Sequence, residues 1–181
     1  YFMVIGCKRW QTQCQHCPQK HVYPTSLFWD NSKNNFSRKK AAFTGVPNMT
    51  LITPSQWLAN LVKQSFLQEY PVEVQYNKID TNIFKPTHSD FRQKFHLENQ
   101  KIILGVAQHW TPNKGLSDFI QLAQILDTNY TIVLVGLTPK QINDMPKNII
   151  GLEKTNYSQE LAGLYTTADV FINTSKEETF G

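Results

Sequence analysis

Apolar positions follow two alternating patterns from about residue 100 to residue 173. Short, nearly continuous apolar runs predict strands, and the longer stretches between them carry apolar residues at helical spacing. The predicted strands are 101–107, 130–135, 148–150 and 169–173, and the predicted helices are 115–126 and 158–167. Strands that are apolar on both sides and separated by amphipathic helices form a parallel sheet with helices on both faces. The pattern therefore predicts a doubly wound α/β domain.

The first 80 residues show a weaker pattern. Short strands are predicted at 49–53 and 72–75, and Ser55 is predicted to cap a helix between them. Because this helix carries apolar residues at helical spacing, we expect Trp57 to lie in its core-facing stripe. Residues 1–44 have no sustained period and are expected to be irregular, with one short helix at most. A connector rich in turn residues separates the predicted domains, 1–80 and 81–181.

Composition and charge exclude some classes of protein. The chain has 181 residues, 40% of them hydrophobic, and a formal net charge of +4. This excess tolerates an anionic ligand or a membrane surface without demanding nucleic acid. No apolar run approaches the roughly 18 residues of a membrane span. Because Tyr1 stands in place of an initiator Met and Gly181 ends the chain within a polar stretch, we expect a fragment.

The stretches after the predicted strands hold the candidate chemistry, because ligands of open parallel sheets bind beyond the carboxyl ends of the strands. Lys114 lies directly before the predicted helix 115–126. An ammonium there opposes the partial positive charge of the helix amino end, unless an anion such as a diphosphate binds both. The same groups would stabilise the charge on a departing nucleoside diphosphate. A solvated surface lysine is the alternative.

A second candidate stretch, 174–181, follows the last predicted strand and contains Glu177, Glu178 and Gly181. Carboxylates there can accept hydrogen bonds from sugar or ribose hydroxyls, and a glycine allows the backbone to approach a ligand closely. The alternative is an acidic cluster that offsets a helix dipole.

Three segments together resemble the donor-domain signature of family 4 glycosyltransferases, which have the two-domain GT-B fold. They are Lys114-Gly115, the strand segment 168–172 and Glu178-Thr179-Phe180-Gly181. In that family the lysine contacts the donor diphosphate, and the E-x-F-G segment begins a motif with a second glutamate further along. The resemblance implies that Lys114 binds the diphosphate and that Glu178 orients the donor. The second glutamate would lie beyond Gly181.

The upstream half extends the resemblance. Residues 53–58 resemble the strand-to-helix step that closes the acceptor domain, and 77–86 resembles the crossover into the donor domain. Two positions depart from the family pattern. Lys78 stands where the crossover usually has glycine, and His109 or Gln108 occupies roughly the place of an arginine that partners the lysine.

The resemblance implies a full set of expectations. The fold is expected to comprise the end of an N-terminal Rossmann-like domain and the first part of a C-terminal one. The reaction is expected to transfer a sugar, with hexosyl transfer favoured, from a nucleotide sugar to a glycan or lipid-linked acceptor. It is expected to retain the anomeric configuration and to need no metal ion. No cofactor and no nucleic-acid partner are expected. The expected setting is cytoplasmic, compatible with peripheral contact with the inner face of a membrane, and the fragment alone is expected to be inactive. The predicted catalytic residues are Lys114 and Glu178, and the predicted donor-binding residues are Gly105, His109, Gly115, Gly136, Leu152, Glu177, Phe180 and Gly181.

The three cysteines allow two interpretations. The spacing of Cys7, Cys14 and Cys17 resembles that of the family branch found in capsule and lipopolysaccharide gene sets. An odd number of thiols fits a reducing compartment. The Cys14-x2-Cys17 spacing also suits zinc, with Cys7 and His16 or His21 as further ligands. Thiols that pack within a loop are favoured over a metal site.

Other function classes find little support. The sequence lacks a Ser-His-Asp order, a Gly-x-Gly-x-x-Gly segment and a phosphate-loop motif, which disfavours hydrolases, dehydrogenases and nucleotide triphosphatases. The absence of an Asp-x-Asp motif agrees with metal independence. Trp110 is a candidate for stacking on a sugar or base. A module that binds a nucleotide or glycan without turnover and a zinc-dependent interaction domain are the alternatives.

Overall fold

A computed structural model describes residues 7–21, 29–176 and 178. These residues divide into two compact units. The first unit holds the residues up to Lys78 together with Glu178, and the second unit spans Ile79–Lys176. None of the helices within the described ranges has the length and apolar character needed to cross a bilayer.

The first unit contains a small parallel sheet and two α-helices. Its elements are a 3-10 turn at Arg9–Gln11, α1 (Ser32–Phe43), β1 (Leu51–Thr53), α2 (Gln56–Val62) and β2 (Val72–Val74). β1 pairs with β2 in parallel, so α2 forms the crossover between them. The Ser55 hydroxyl accepts a hydrogen bond from the Leu58 amide at 3.2 Å and caps α2. This cap satisfies one of the amides that a helix start leaves unpaired.

Two expectations for the first unit are wrong. Helix α1 is 12 residues long, whereas the segment 1–44 was expected to be irregular and loop-like with one short helix. Its only buried residues are Ser32 and Phe36, so the helix has no apolar stripe for a periodicity argument to detect. Trp57, expected in the core, is 44% exposed, and Ala59 is the buried residue of α2.

Lys78 does not need the backbone freedom of glycine. Among the residues the structure describes, left-handed backbone outside glycine occurs at His16, Asn48 and His96. Lys78 therefore has an ordinary backbone conformation, which a residue with a Cβ adopts without strain.

The second unit is built on a four-stranded parallel sheet with the order β5-β4-β3-β6. Its strands are β3 (Lys101–Val106), β4 (Tyr130–Val135), β5 (Ile149–Leu152) and β6 (Val170–Phe171). Its helices are α3 (Phe91–Lys94), α4 (Leu116–Ile125), α5 (Pro139–Asn143) and α6 (Ser158–Thr167), with a 3-10 turn at Pro112–Lys114. β3 pairs with β4 and β6, and β4 pairs with β5, all in parallel. The two short helices α3 and α5 were not predicted.

Alternate residues of the central strands point to opposite faces of this sheet. On one face, Ile132 and Leu134 pack in a core with Phe119 of α4. On the other face, Val133 and Leu104 pack in a core with Leu164 of α6. Helices thus cover both faces, which confirms the predicted doubly wound α/β arrangement.

The last strand of the second unit differs from its prediction. A buried strand was expected at 169–173, but β6 is two residues long, and Val170 and Phe171 are 51% and 48% exposed. β6 lies at the edge of the four-stranded sheet, so one side of it has no neighbouring strand in the described part of the chain. An apolar run in the sequence does not distinguish a central strand from an edge strand.

An ion network closes the amino edge of this sheet. The Asp169 carboxylate accepts hydrogen bonds from the Ile102 amide at 2.9 Å, the Lys101 ammonium at 2.9 Å and the Arg92 guanidinium at 2.6 Å. These groups, the Ile102 amide first, hold the pKa of Asp169 well below its usual range. Arg92 also donates to the carbonyls of Gln100 and Thr167. The network therefore ties α3 to the starts of β3 and β6.

Candidate functional site

The loop after β3 is anchored by a buried tryptophan. Trp110 is 8% exposed, and its indole N–H donates to the Val135 carbonyl at the end of β4, at 2.9 Å. Its ring meets Phe119 edge to face, with 5.4 Å between the centroids. The side-chain amide of Gln141, in α5, donates to the Trp110 carbonyl at 3.2 Å. Because both its ring and its N–H are used inside the protein, the prediction that Trp110 stacks on a sugar or base is wrong.

The loop after β4 approaches the loop after β3 closely at Gly136. Gly136 has φ +96°, and a Cβ placed there would lie 1.7 Å from the Ala107 carbonyl oxygen. Its N–H donates to the Leu152 carbonyl at the end of β5, at 3.0 Å. Only glycine allows this approach, because both the backbone angle and the available space exclude a side chain. The carboxyl ends of β3, β4 and β5 are thereby drawn together.

Lys114 lies at the carboxyl edge of the sheet, as the predicted phosphate site requires. It ends the 3-10 turn Pro112–Lys114, and Gly115 follows with φ +73° as the N-cap residue of α4. Lys114 is half-buried and Gly115 is buried. A Cβ at Gly115 would lie 2.4 Å from the Thr174 hydroxyl oxygen, so the glycine makes room for the loop after β6.

Two hydrogen bonds join the loops that follow the adjacent strands β3 and β6. The Thr174 hydroxyl donates to the Lys114 carbonyl at 2.8 Å, and the Lys176 amide donates to the Asn113 carbonyl at 3.0 Å. The backbone that carries Lys114 is therefore fixed against the stretch that leaves β6. Of the second candidate stretch, the structure thus brings residues 174–176 to Lys114.

The amino end of α4 completes the arrangement. This ten-residue helix begins next to Lys114, and its N-cap, Gly115, provides no side chain to satisfy the first amides. A helix start carries a partial positive charge, and Lys114 lies next to this one in the chain. Binding of a phosphate group by these amides and the Lys114 ammonium stays a prediction. Asp118 lies in the first turn of the helix and offsets part of this charge.

The other predicted donor-binding residues are distributed around this edge and in the sheet. Gly105 lies inside β3, where a Cβ would be 2.6 Å from the Phe119 ring, so its observed role is packing. His109 is exposed in the loop after β3, and Leu152 ends β5 half-buried. Contact of these residues with a donor stays a prediction.

The structure describes only one residue, Glu178, of the predicted acidic stretch 177–181. Glu178 is half-buried and belongs to the first unit, whereas Lys114 belongs to the second. Glu177, Phe180 and Gly181 lie outside the described residues, and the role predicted for each of them stays a prediction.

Sequence reasoning missed the residues that hold the site in shape. Thr174, Asn113 and Gln141 carry no chemistry that marks them, and their contacts join segments that are 31 to 63 residues apart. The glycine of Lys114-Gly115 was the available signal, because a glycine ahead of a helix often indicates close approach of another segment. The sequence does not say which segment approaches.

The cysteine segment packs within the first unit. Cys14 is buried in a small core with Trp10 and Phe36, and Cys7 and Cys17 are half-buried. Burial, and then the thiols of Cys17 and Cys7, raise the pKa of Cys14, which keeps its thiol protonated at neutral pH. In the ranges that the structure describes, no group of three His, Cys, Asp or Glu side chains is arranged to hold a metal ion.

Comparison with solved structures identifies the fold. The chain is similar to sucrose-phosphate synthase from Thermosynechococcus elongatus, with a TM-score of 0.64 and 18% identity, over 82% of this chain and 40% of that one. It is similar to Anabaena HepE, solved with UDP-glucose, with a TM-score of 0.60 and 21% identity, over 81% of this chain and 43% of that one. It is also similar to WaaG, a glycosyltransferase involved in lipopolysaccharide biosynthesis, with a TM-score of 0.62 and 17% identity, over 92% of this chain and 50% of that one.

These likenesses concern the fold, because the identities are low. The chain has the α/β fold of GT-B glycosyltransferases, and it spans 40% to 50% of the length of these three structures. No protein-family model matches the chain, and no curated protein sequence matches it.

Proposed function

We propose that this chain is part of a glycosyltransferase that uses a nucleotide sugar, with its second unit on the donor side. The observation that carries the proposal is the hydrogen bond from Thr174 to the Lys114 carbonyl, which fixes Lys114 at the carboxyl edge of a parallel sheet. That edge is where open parallel sheets bind ligands. The GT-B fold and the binding of UDP-glucose, UDP and glucose by HepE support the choice of a nucleotide sugar.

The proposed chemistry is the cleavage of the bond between the sugar C1 and the diphosphate oxygen. The electron pair of this bond leaves with the nucleoside diphosphate, and the acceptor hydroxyl supplies the new oxygen and loses its proton. The Lys114 ammonium and the first amides of α4 stabilise the charge that develops on the diphosphate. Glu178 is proposed to orient the sugar through its hydroxyl groups.

The proposal extends to details that the fold similarity leaves open. The reaction retains the anomeric configuration, needs no metal ion, and transfers a hexosyl group to a glycan or lipid-linked acceptor in surface polysaccharide biosynthesis. The protein acts in the cytoplasm. These details follow from the resemblance of the Lys114-Gly115 and Glu178 segments to family 4 glycosyltransferases, and from the likeness to WaaG, whose role is in lipopolysaccharide biosynthesis.

Calorimetric titration of the chain with UDP and UDP-glucose tests the phosphate site. Lys114→Ala should weaken UDP binding by roughly ten- to a hundredfold, because a hydrogen bond to a charged group contributes about 1.5–3 kcal/mol. Lys147→Ala removes an exposed lysine of the same unit and serves as the matched control. Chelation of divalent metals should leave the affinity unchanged. Equal UDP affinity for the Lys114 variant and the wild type would defeat the assignment.

A separate experiment tests catalysis. Full-length protein, of which this chain is expected to be a part, is incubated with radiolabelled UDP-glucose and a lipid-linked acceptor, and labelled lipid is measured. Labelled product supports sugar transfer. Nucleotide binding without any product would instead support a module that binds donor without turnover.

A further inference from the structure

Three thiols lie in the segment 7–17, and the proposed sugar transfer uses none of them. Cys14 is buried, Cys7 and Cys17 are half-buried, and all three are free thiols. Two residues separate Cys14 from Cys17, which is the spacing found in proteins that form and break a disulfide reversibly. In a reducing compartment such a disulfide is transient and responds to the redox state. The segment therefore has the chemistry for thiol–disulfide exchange.

Hydrogen bonds within the segment hold the turn 14–17 in place. The Arg9 guanidinium donates to the carbonyls of Gln15 and His16, at 3.3 Å and 2.7 Å, and so ties the stretch after Cys7 to this turn. His16 has φ +51°, which bends the chain between the two cysteines of the turn. The two thiols therefore flank a bend whose carbonyls are fixed.

The start of helix α1 holds the same turn. The Cys17 amide donates to the Asp30 carboxylate at 2.6 Å, and the other oxygen of that carboxylate accepts from the amide of Ser32, the first residue of α1, at 3.0 Å. Cys14 shares a small core with Phe36 of α1. Both cysteines of the turn are therefore anchored to one helix.

The two thiols of the turn differ in their access to solvent. Cys14 is 7% exposed, and burial, followed by the nearby thiols of Cys17 and then Cys7, raises its pKa. A protonated, buried thiol is a poor first target, because the thiolate is the nucleophile. Exchange with a reagent from solution should therefore begin at the half-buried Cys17, with Cys14 acting second.

We propose that Cys17 and Cys14 form a reversible disulfide by exchange with a low-molecular-weight disulfide such as oxidised glutathione. The Cys17 thiolate attacks one sulfur of the reagent, the S–S bond of the reagent breaks, and one thiol leaves. The small ionised fraction of Cys14 then attacks the Cys17 sulfur and releases the second thiol. The two cysteines lose two electrons and two protons, which the two released thiols carry away. This inference does not depend on sugar transfer.

Oxidation by glutathione tests the proposal with the full chain. Reduced protein is incubated with oxidised glutathione, free thiols are blocked with iodoacetamide, and the tryptic peptides are analysed by mass spectrometry. Trypsin cuts after residues 9 and 20, so the peptide 10–20 contains Cys14 and Cys17 without Cys7. This peptide should lose two hydrogens and take no iodoacetamide, while Cys7 is alkylated. Two alkylated cysteines in the peptide, or a disulfide that joins it to Cys7, would overturn the proposal.

A second measurement asks whether the fold favours this bond. The ratio of disulfide to dithiol in glutathione buffers gives the effective concentration of Cys14 toward Cys17, for the folded chain and for the chain in concentrated urea. Because the folded segment has already lost the entropy of bringing the thiols together, the folded value should be higher by about tenfold or more. An equal or lower value for the folded chain would mean that the native turn opposes the disulfide, which contradicts the proposal.

Two variants test the order of the steps. Cys14→Ala should retain glutathione on Cys17 as a mixed disulfide, because the thiol that releases it is gone. Cys7→Ala is the matched control and should form the disulfide as the wild type does. Circular dichroism checks that both variants fold, and the two measurements on the wild type stand without them. Failure of the Cys7 variant to form the disulfide, or a Cys14 variant whose Cys17 takes no glutathione, would refute the assignment.

Discussion

The two edges of the sheet in the second unit are built differently. At the amino edge, Asp169 binds the charged groups of Arg92 and Lys101, so opposite charges neutralise each other within the protein. At the carboxyl edge, the loops are held by close backbone approach at Gly136 and by neutral hydrogen bonds from Trp110 and Thr174. The first edge uses charge to stabilise the fold. The contacts described at the second edge are close backbone approach and hydrogen bonds between neutral groups.

The largest effect is expected at the carboxyl edge, for Gly136→Ala. The new Cβ would overlap the Ala107 carbonyl oxygen, and φ +96° strains any residue with a side chain. We expect the free energy of unfolding to fall by about 3 kcal/mol or more, as measured by urea denaturation.

Gly45→Ala separates the two causes. Gly45 also has a positive φ, +77°, but a Cβ there meets nothing within 4 Å. This variant should lose only about 1 kcal/mol, the cost of the left-handed backbone. Similar losses for both variants would mean that the close approach to Ala107 contributes nothing beyond backbone strain.

An intermediate effect is expected at the amino edge, for Asp169→Asn. The amide carries no charge, so the ion pairs with Lys101 and Arg92 are lost, and we expect a loss of about 1–2 kcal/mol at neutral pH, after allowing for solvent screening of these partly exposed groups. UDP affinity should not change, because this edge is opposite the proposed donor site.

The pH dependence of this loss follows from the low pKa of Asp169. The carboxylate contributes its full stability above the pKa of an unfolded aspartate, about 3.9, and that contribution declines as the pH falls below it. The stabilities of wild type and Asp169→Asn should therefore converge in acid. A difference that stays constant from pH 7 to acid would contradict the ion-network interpretation.

The smallest effect on stability is expected for Thr174→Val. This change keeps the branched shape but removes the hydroxyl that donates to Lys114, at a cost of about 1 kcal/mol. We expect UDP affinity to fall severalfold, because the backbone that carries Lys114 is no longer fixed. Thr167→Val is the control at the opposite edge, where the Thr167 hydroxyl donates to the Gly163 carbonyl. It should cost similar stability without changing UDP affinity.

Much of the second unit was predictable because the apolar spacing within each segment matches the burial of that segment in the folded sheet. The strand 130–135 and the helix 158–167 have the bounds that the sequence predicted. In both, apolar spacing alone defines the element, since a strand buried on both sides is continuously apolar and a helix against a sheet is striped. Helix α1 escaped prediction because its stability comes from lysine, arginine and alanine rather than from an apolar face.

The two tryptophans show where sequence reasoning fails at a site. Trp110 follows a strand and was expected to stack on a ligand, whereas Trp57 lies in an apolar helix and was expected in the core. The structure contradicts both expectations, because Trp110 is 8% exposed and Trp57 is 44% exposed. Burial of Trp110 depends on a hydrogen-bond acceptor 25 residues away, the Val135 carbonyl. Spacing along the chain carries no information on such a partner, although the strand-to-helix position of Lys114 does follow from spacing alone.

The Gly105 contact has a consequence for how this protein can change over evolutionary time. A Cβ at position 105 would lie 2.6 Å from the Phe119 ring and 2.7 Å from the Leu134 side chain on the neighbouring strand. Volume gained at one of these three positions must be given up at another, or α4 shifts along the sheet and takes Lys114 with it. We therefore expect these positions to drift together among homologues, as a coupled set.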